Sequence, residues 1–534
     1  MKFLFCLNIV TVISSVFSFQ SASNTTSSVF SLQSASNTTS SRRLIGSNSE
    51  CGTTRLRKSW TGWSQAERSL YLSAVEEAIA QGFHQAMIKV HQDNKSELEA
   101  HGTCGFTLWH RRYVLVYENM LRSLKPEFKC VTVPFWNVMD DFNKQHDGEC
   151  DNFIDCSAIL TGIGGVPTGQ ETRTYLGNQR TGACYPGRPY LDYPDDNGET
   201  GCMIRDDLTD TPVVGGASYV SLFSMITSNT DYSTFTRRLQ NGIHNEVHAT
   251  VGGTFGSFGA PADVLFYSWH STVDMLHYIW HHCHLKAPIN STGISTNVWA
   301  FNGANQECRL TQRAINGIDA SLTVSSKIHM EADGMDVTVH EKLKAMFADV
   351  GTTYGDYVDT RSLSADYTYD YEIPLDFFRI LNDDDLCPGY QGTVVVPDVT
   401  PDVTTPGDDS DDLTYWEWYE QTKAQLEVLY PDDPAKVTQQ LEYLDCLGIN
   451  ETFGVPESVG DESLQGSIIA NPHCATILDA IENDSTLVDS RVDEKKWGDK
   501  VSKDVSKNKL SSAASTTTGL SVVTVVVTMM WATL

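Results

Sequence analysis

Apolar residues recur at helical spacing in several separate stretches of this 534-residue chain. Trp60 to Gln92 carries Leu70, Ala74, Ala78 and Ile79 at roughly helical spacing, which predicts helix. Phe106 to Leu124 reads as an amphipathic helix stopped by Lys125-Pro126. Phe235–Val251 and Val264–His284 repeat the pattern, as do Tyr415–Leu447 and His473–Asn483. Between residues 142 and 220, Gly, Pro, Asp, Thr and Cys interrupt any period, so a long disulfide-stapled loop region is expected there. The chain therefore reads as mainly α.

Polar runs divide it. Residues 1–20 have the charged start and apolar middle of a secretory signal peptide. Residues 21–50 hold most of a tandem repeat, VFSFQSASNTTSS then VFSLQSASNTTSS, which is too polar to bury a core. The main domain is expected over 51–390 and an acidic, Pro/Thr-punctuated linker over 391–413. A small helical module follows over 414–487, then a tail over 488–534 whose Lys/Asp-rich start is expected to be disordered. The tail ends in apolar Leu520–Leu534 after small residues Ser511–Ser515, an order that resembles a GPI-attachment signal.

Composition narrows the setting. A net charge of −30 excludes a nucleic-acid partner and adhesion to anionic lipid, leaving the apolar tail as the one membrane contact. Thirteen cysteines become twelve once Cys6 leaves with the leader, enough for six disulfides, with Cys446 and Cys474 as one expected pair. N-x-Ser/Thr sequons at Asn24, Asn37, Asn94, Asn290, Asn450 and Asn483 agree with a secreted or cell-surface glycoprotein.

The chemistry lies in two histidine clusters. His244 and His248 are four apart and share a helix face, and His270 follows on the next helix. His101 and His110 offer a second group; its third member is His84 or His91, seven apart and on one face. His84 is preferred, because it lies mid-helix beside Phe83, whereas His91 runs into Gln92–Ser96, which reads as a helix end. Three imidazoles per site, with no cysteine at ligand spacing, fit a redox pair of coppers handling dioxygen better than structural zinc. His277, His281, His282 and His284 read as a polar helix face, and Arg111 and Asp274 as a lock between helix pairs.

The motifs H-x8-H with F-x-x-W-H-R, then H-N-x-V-H-x-x-V-G-G, then D-x-x-F-x-x-x-H-x-x-V-D, resemble the tyrosinase family of type-3 copper proteins. The wider sequence around Ala100–Phe106 and Tyr117–Leu124 resembles its secreted, oomycete-type branch. The resemblance implies a four-helix bundle around a dinuclear copper site. His84, His101 and His110 would hold one ion, and His244, His248 and His270 the other. Dioxygen would be the co-substrate and small phenols the substrates, with o-diphenols oxidised to o-quinones and, as in true tyrosinases, monophenols hydroxylated first. Asn245 matches the residue that partners a water-holding glutamate in the family, but Ser233–Ile243 has no carboxylate, and Gln240 stands in the acid's place. Diphenols should therefore be preferred over monophenols. Glu99 stands where some members carry a cysteine linked to the middle ligand, so Cys104 is expected in a disulfide instead. Rival readings are a hemocyanin-like dioxygen carrier and a non-catalytic surface protein.

Overall fold

The computed structural model describes residues 51, 55–228, 231–284, 308–309, 321–364, 366–381, 387, 413–460, 468–470, 472–492 and 497. The leader, the repeat, most of the linker and the apolar tail lie outside the described residues.

The predicted helix over 60–92 is two helices. Ser64 and Glu67 close a capping box at the start of α1 (Gln65–Ala80). The chain then turns at Gly82, whose φ of 69° favours glycine, and α2 runs Phe83–Gln92. Asp93 caps the short α3 (Asn94–Ala100), which returns the chain toward α2. α4 (Phe106–Leu124) is buried on every face from Phe106 to Arg122.

The region 142–220 is not all loop. After α5 (Val138–His146), α6 (Phe153–Cys156) and α7 (Ala158–Gly162) comes an antiparallel sheet of β1 (Gln170–Tyr175), β2 (Asn178–Tyr185) and β3 (Met203–Arg205). Leu176-Gly177, both at positive φ, turn the hairpin, and Cys184–Cys202 ties it to the segment before β3. Turn-forming residues dominate the composition and hide these polar strands.

α8 (Tyr219–Ser228) and α9 (Tyr232–Leu239) lead to a five-residue π turn, Gln240–His244, and α10 (Asn245–Val251). The single helix expected over 235–251 is thus broken at Gly242, whose backbone is non-helical. α11 (Leu265–His284) is buried from Leu265 to Cys283 and packs along α4. Ion pairs tie these buried helices to one another and to the chain's start. Arg111 Nε donates to Asp274 Oδ1, joining α4 to α11 as expected. Asp274 Oδ2 takes the Tyr371 hydroxyl at 2.6 Å, and Arg57 bridges Asp274 and Glu118.

After short helices α12 (Lys344–Phe347) and α13 (Leu375–Leu381), three helices form the C-terminal part: α14 (Tyr415–Leu429), α15 (Pro434–Thr452) and α16 (His473–Asn483). Asp433 caps α15 and Pro434 opens it, splitting the helix expected over 415–447. These helices belong to the same compact unit as the bundle, with α15 packed on α8. Disulfides join Cys51–Cys130, Cys150–Cys156, Cys283–Cys387 and Cys446–Cys474, and Cys104 is also disulfide-bonded. No helix among the described residues is long and apolar enough to cross a membrane.

Candidate metal centre

Two groups of three histidines converge in the bundle: His91, His101 and His110, and His244, His248 and His270. Within each group the ligand atoms lie within 4.8 Å of one another. α2 supplies His91, α3 ends at His101, and α4 carries His110. The π turn ends at His244, α10 carries His248, and α11 carries His270.

His84 is not among them, which corrects the expectation. Its Nδ1 is 3.0 Å from the Tyr117 hydroxyl and its Nε2 is 3.3 Å from the Ala262 carbonyl, so both ring nitrogens are engaged elsewhere. His91 instead brings Nε2 to within 3.4 Å of His110 Nε2. The end of α2 does not face solvent: His91 is 1% exposed, because α3 folds back and the Phe258 carbonyl meets its Nδ1 at 2.9 Å.

Backbone carbonyls set the tautomers. Nδ1 of His101 meets Glu97 O, that of His110 meets Phe106 O, and that of His248 meets Phe255 O, at 3.3, 2.8 and 2.8 Å. His244 Nδ1 donates to Gln240 O and to Asn245 Oδ1, at 3.2 and 2.8 Å. With the proton on Nδ1, each Nε2 lone pair turns inward. His270 is the exception; its Nδ1 is buried with no hydrogen-bond partner among the described residues. His270 Nε2 lies 3.4 Å from that of His244 and 3.3 Å from that of His248. Lone pairs this close repel unless a cation lies between them.

The electrostatics agree. Burial lowers His91 to about 4 and His248 to about 3. Burial first, then neighbouring imidazoles, hold His101, His110, His244 and His270 well below the usual histidine range. All six rings are thus neutral donors near pH 7. An all-imidazole donor set without thiolate or carboxylate fits copper.

The two groups adjoin. His110 and His270 stack with ring centroids 4.2 Å apart. Phe106 lies against His110 and His244, and Phe266 against His91 and His270, making dry walls that no histidine spacing signals. Gly252 and Gly253, at φ 63° and 51°, end α10. A Cβ on Gly252 would fall 2.1 Å from Asp206 Oδ2, so only glycine permits the turn that brings Phe255 O to His248.

Gln240 and Asn245 are both committed. Gln240 Oε1 accepts from Gly102 N at 3.1 Å, tying the second group's turn to the His101 loop. Asn245 Nδ2 donates to Ile469 O at 3.1 Å, a C-terminal contact that no motif announced. Glu99 is buried and takes the Tyr354 hydroxyl, His329 N and His329 Nδ1 at 2.7, 3.0 and 2.6 Å. The later histidines of α11 are not a polar face. His277, His281 and His282 are buried, with His277 against Arg111 and His282 against Arg361.

Residues 79–283 match the family model described as the common central domain of tyrosinase. A tyrosinase-like protein of Diaporthe leptostromiformis is 26% identical over 245 residues, 42% of this chain. The chain spans 62% of that relative's length. The tyrosinase of Streptomyces antibioticus is 23% identical over 261 residues, 46% of this chain and 90% of its own. Among solved structures, a variant polyphenol oxidase from Thermothelomyces thermophila aligns at a TM-score of 0.36 and 16% identity, over 60% of this chain and 89% of that one.

Proposed function

Because residues 79–283 match the model for the common central domain of tyrosinase, we propose that the chain is a copper-dependent phenol oxidase that uses dioxygen to convert o-diphenols to o-quinones. The observation that carries this reading is the pair of adjacent imidazole triads with inward Nε2 atoms. His91, His101 and His110 would hold one copper, and His244, His248 and His270 the other. Two reduced coppers held there would together supply the two electrons that dioxygen reduction needs.

The chain's own residues do the rest. The Phe106 and Phe266 rings keep water from the donors, and the carbonyls of Phe106, Phe255 and Phe258 hold the imidazoles in place. A diphenol approaches with little help in losing its protons. A monophenol needs a base, and Gln240 supplies none, so we read the activity as mainly diphenol oxidation. We also read the protein as exported; the disulfides of the described residues support this.

The test is metal analysis and oxygen uptake on the purified full chain. Two coppers per chain and catechol-dependent uptake that a copper chelator abolishes are expected. A metal-free chain, or a copper-loaded chain inert toward catechol, would overturn the reading. Reversible dioxygen binding without turnover would favour the carrier alternative.

A further inference from the structure

Beside the first imidazole triad begins a file of aromatic rings that the proposed phenol chemistry does not use. Trp109 lies 5.0 Å from His110, centroid to centroid, and stacks on Tyr113 at 5.4 Å. Tyr113 lies 6.0 Å from His91 and stacks on Tyr267 at 5.8 Å. Tyr267 stacks on Tyr117 at 3.4 Å with the planes 8° apart. Tyr117 ends on His84. Beyond His84 stand Tyr193, at 5.6 Å, and Tyr175 of the β1–β2 hairpin, stacked on Tyr193 at 5.1 Å. Trp109, Tyr113, Tyr117, Tyr267 and His84 are fully buried.

Hydrogen bonds distinguish the three central phenols. Tyr113 donates to Met87 O at 2.6 Å, so across the 3.3 Å contact Tyr267 donates to Tyr113. A carbonyl or phenol oxygen cannot keep the proton it is offered. Tyr117 donates to a base. His84 gives its Nε2–H to Ala262 O, which leaves the Nδ1 lone pair for the Tyr117 hydroxyl 3.0 Å away. Burial lowers His84 to about 4, so the ring is neutral and ready to accept. A phenol that has lost an electron is a far stronger acid than the phenol itself, and even a weakly basic imidazole takes its proton.

We propose that Trp109, Tyr113, Tyr267 and Tyr117 form a redox relay that drains one-electron oxidising equivalents from the metal centre when no phenol is bound, with the Tyr117–His84 pair as its trap. This rests on the reading of the centre as a dioxygen-using copper site. One electron passes from Tyr117 through Tyr267 and Tyr113 to an oxidant of the hydroxyl-radical class, left where hydrogen peroxide meets the centre, and that oxidant is thereby reduced to hydroxide. The proton on the Tyr117 oxygen moves to His84 Nδ1. A neutral phenoxyl radical and an imidazolium remain, the latter still donating Nε2–H to Ala262 O. An electron from an external phenol or similar reductant, entering past Tyr175 and Tyr193, reclaims the proton and restores the pair. Without the trap the oxidising equivalent stays beside His91 and His110.

Two arms test this on the full chain. In the first, the copper-loaded protein meets hydrogen peroxide without phenol and is freeze-quenched for electron paramagnetic resonance. A tyrosyl signal that narrows with ring-deuterated tyrosine is expected. Tyr117→Phe, Tyr267→Phe and His84→Gln should each lose most of it and inactivate several-fold faster, with unchanged initial catechol rates. In the second, the metal-free protein is photo-oxidised with ruthenium tris-bipyridine and an electron acceptor. A radical component present in the native chain and absent from Tyr117→Phe and His84→Gln is expected. Equal radical yield and equal inactivation in native and Tyr117→Phe protein overturn the relay. If the chain binds no copper, the reading of the centre fails, and the photochemical arm decides the trap by itself. Tyr117→Phe removes one oxygen atom, and circular dichroism confirms that the comparison is between folded proteins.

Discussion

Asn245 divides its side chain between the metal centre and the C-terminal segment: Oδ1 accepts from His244 Nδ1, and Nδ2 donates to the Ile469 carbonyl. The neighbouring Ile468 N bonds Gly256 O at 2.8 Å, in the turn that follows α10. Arg238 of α9 pairs with Glu442 of α15, and Glu442 also takes His473 of α16. The segment is thus held on the residue that orients His244. Removing residues 414–534 should raise catechol oxidation several-fold and leave the copper content at two. Oxygen-uptake rates on intact and shortened chains check this; equal rates would mean that residues 468–470 lie aside from the substrate's path.

His84 and His91 make the ligand assignment testable. His91→Ala should leave one copper per chain and no catechol oxidation, because the first site loses a donor that points inward. His84→Gln should keep both ions, since the native ring already spends both nitrogens on Tyr117 and Ala262. Copper content by atomic emission decides, and loss of an ion from His84→Gln alone would make His84 the ligand.

These two residues also mark how far sequence reading reaches. Four-residue spacing placed His244 and His248 on one face, and the helix carrying His270 was equally plain. Seven-residue spacing puts His84 and His91 on one face too, and nothing local separates them. What does is the fold-back of α3 and the Phe258 carbonyl, a contact 167 residues away in sequence. The sheet over 170–205 escaped because its two longer strands are rich in Gln, Glu, Thr, Arg and Asn and lie among turn-forming residues. The π turn escaped because one glycine inside a helical apolar pattern does not announce the non-helical backbone that Gly242 adopts. The Ile469 contact is longer-range still and leaves no periodic trace.

Gln240 bears on substrate choice. A monophenol must lose a proton at a dry site, and the Gln240 amide is no base; its oxygen is already spent on Gly102 N. Catechols should be oxidised at least about tenfold faster than tyrosine-type phenols, the scale of ~1.4 kcal/mol in barrier. Gln240→Glu keeps one oxygen for Gly102 and frees a second as a base, so monophenol turnover should rise while diphenol turnover changes little. Initial rates on both substrates check this. Comparable native rates with no lag would show that another group removes the proton.

Asp445 gives the C-terminal helices a pH dependence. It lies fully buried in α15 and accepts from Ser218 Oγ, Tyr415 Oη and Trp497 Nε1 at 2.6, 3.0 and 3.1 Å. All three donors are neutral, Glu442 one turn away adds negative charge, and the nearby His146 ring packs on Tyr415 and Trp497. Burial pushes the carboxyl from 3.8 up to about 7. Between those values the unfolded chain has released its proton while the folded chain keeps it. The unfolded state then binds fewer protons, so stability falls as pH rises from about 4 to about 7 and levels off above that. Inside that window each rise of one in pH costs at most about 1.4 kcal/mol. Asp445→Asn keeps an acceptor for Ser218 or Tyr415 and should remove this slope. Urea unfolding of both proteins at pH 5 and pH 8 measures it, and parallel slopes would show that Asp445 titrates normally. The same weakening should loosen the segment over Asn245. Catechol oxidation by the intact chain, divided by that of the chain lacking 414–534, should therefore climb between pH 5 and pH 8. In Asp445→Asn the ratio should stay level. A level ratio in the native chain as well would separate the docking of these helices from access to the metal centre.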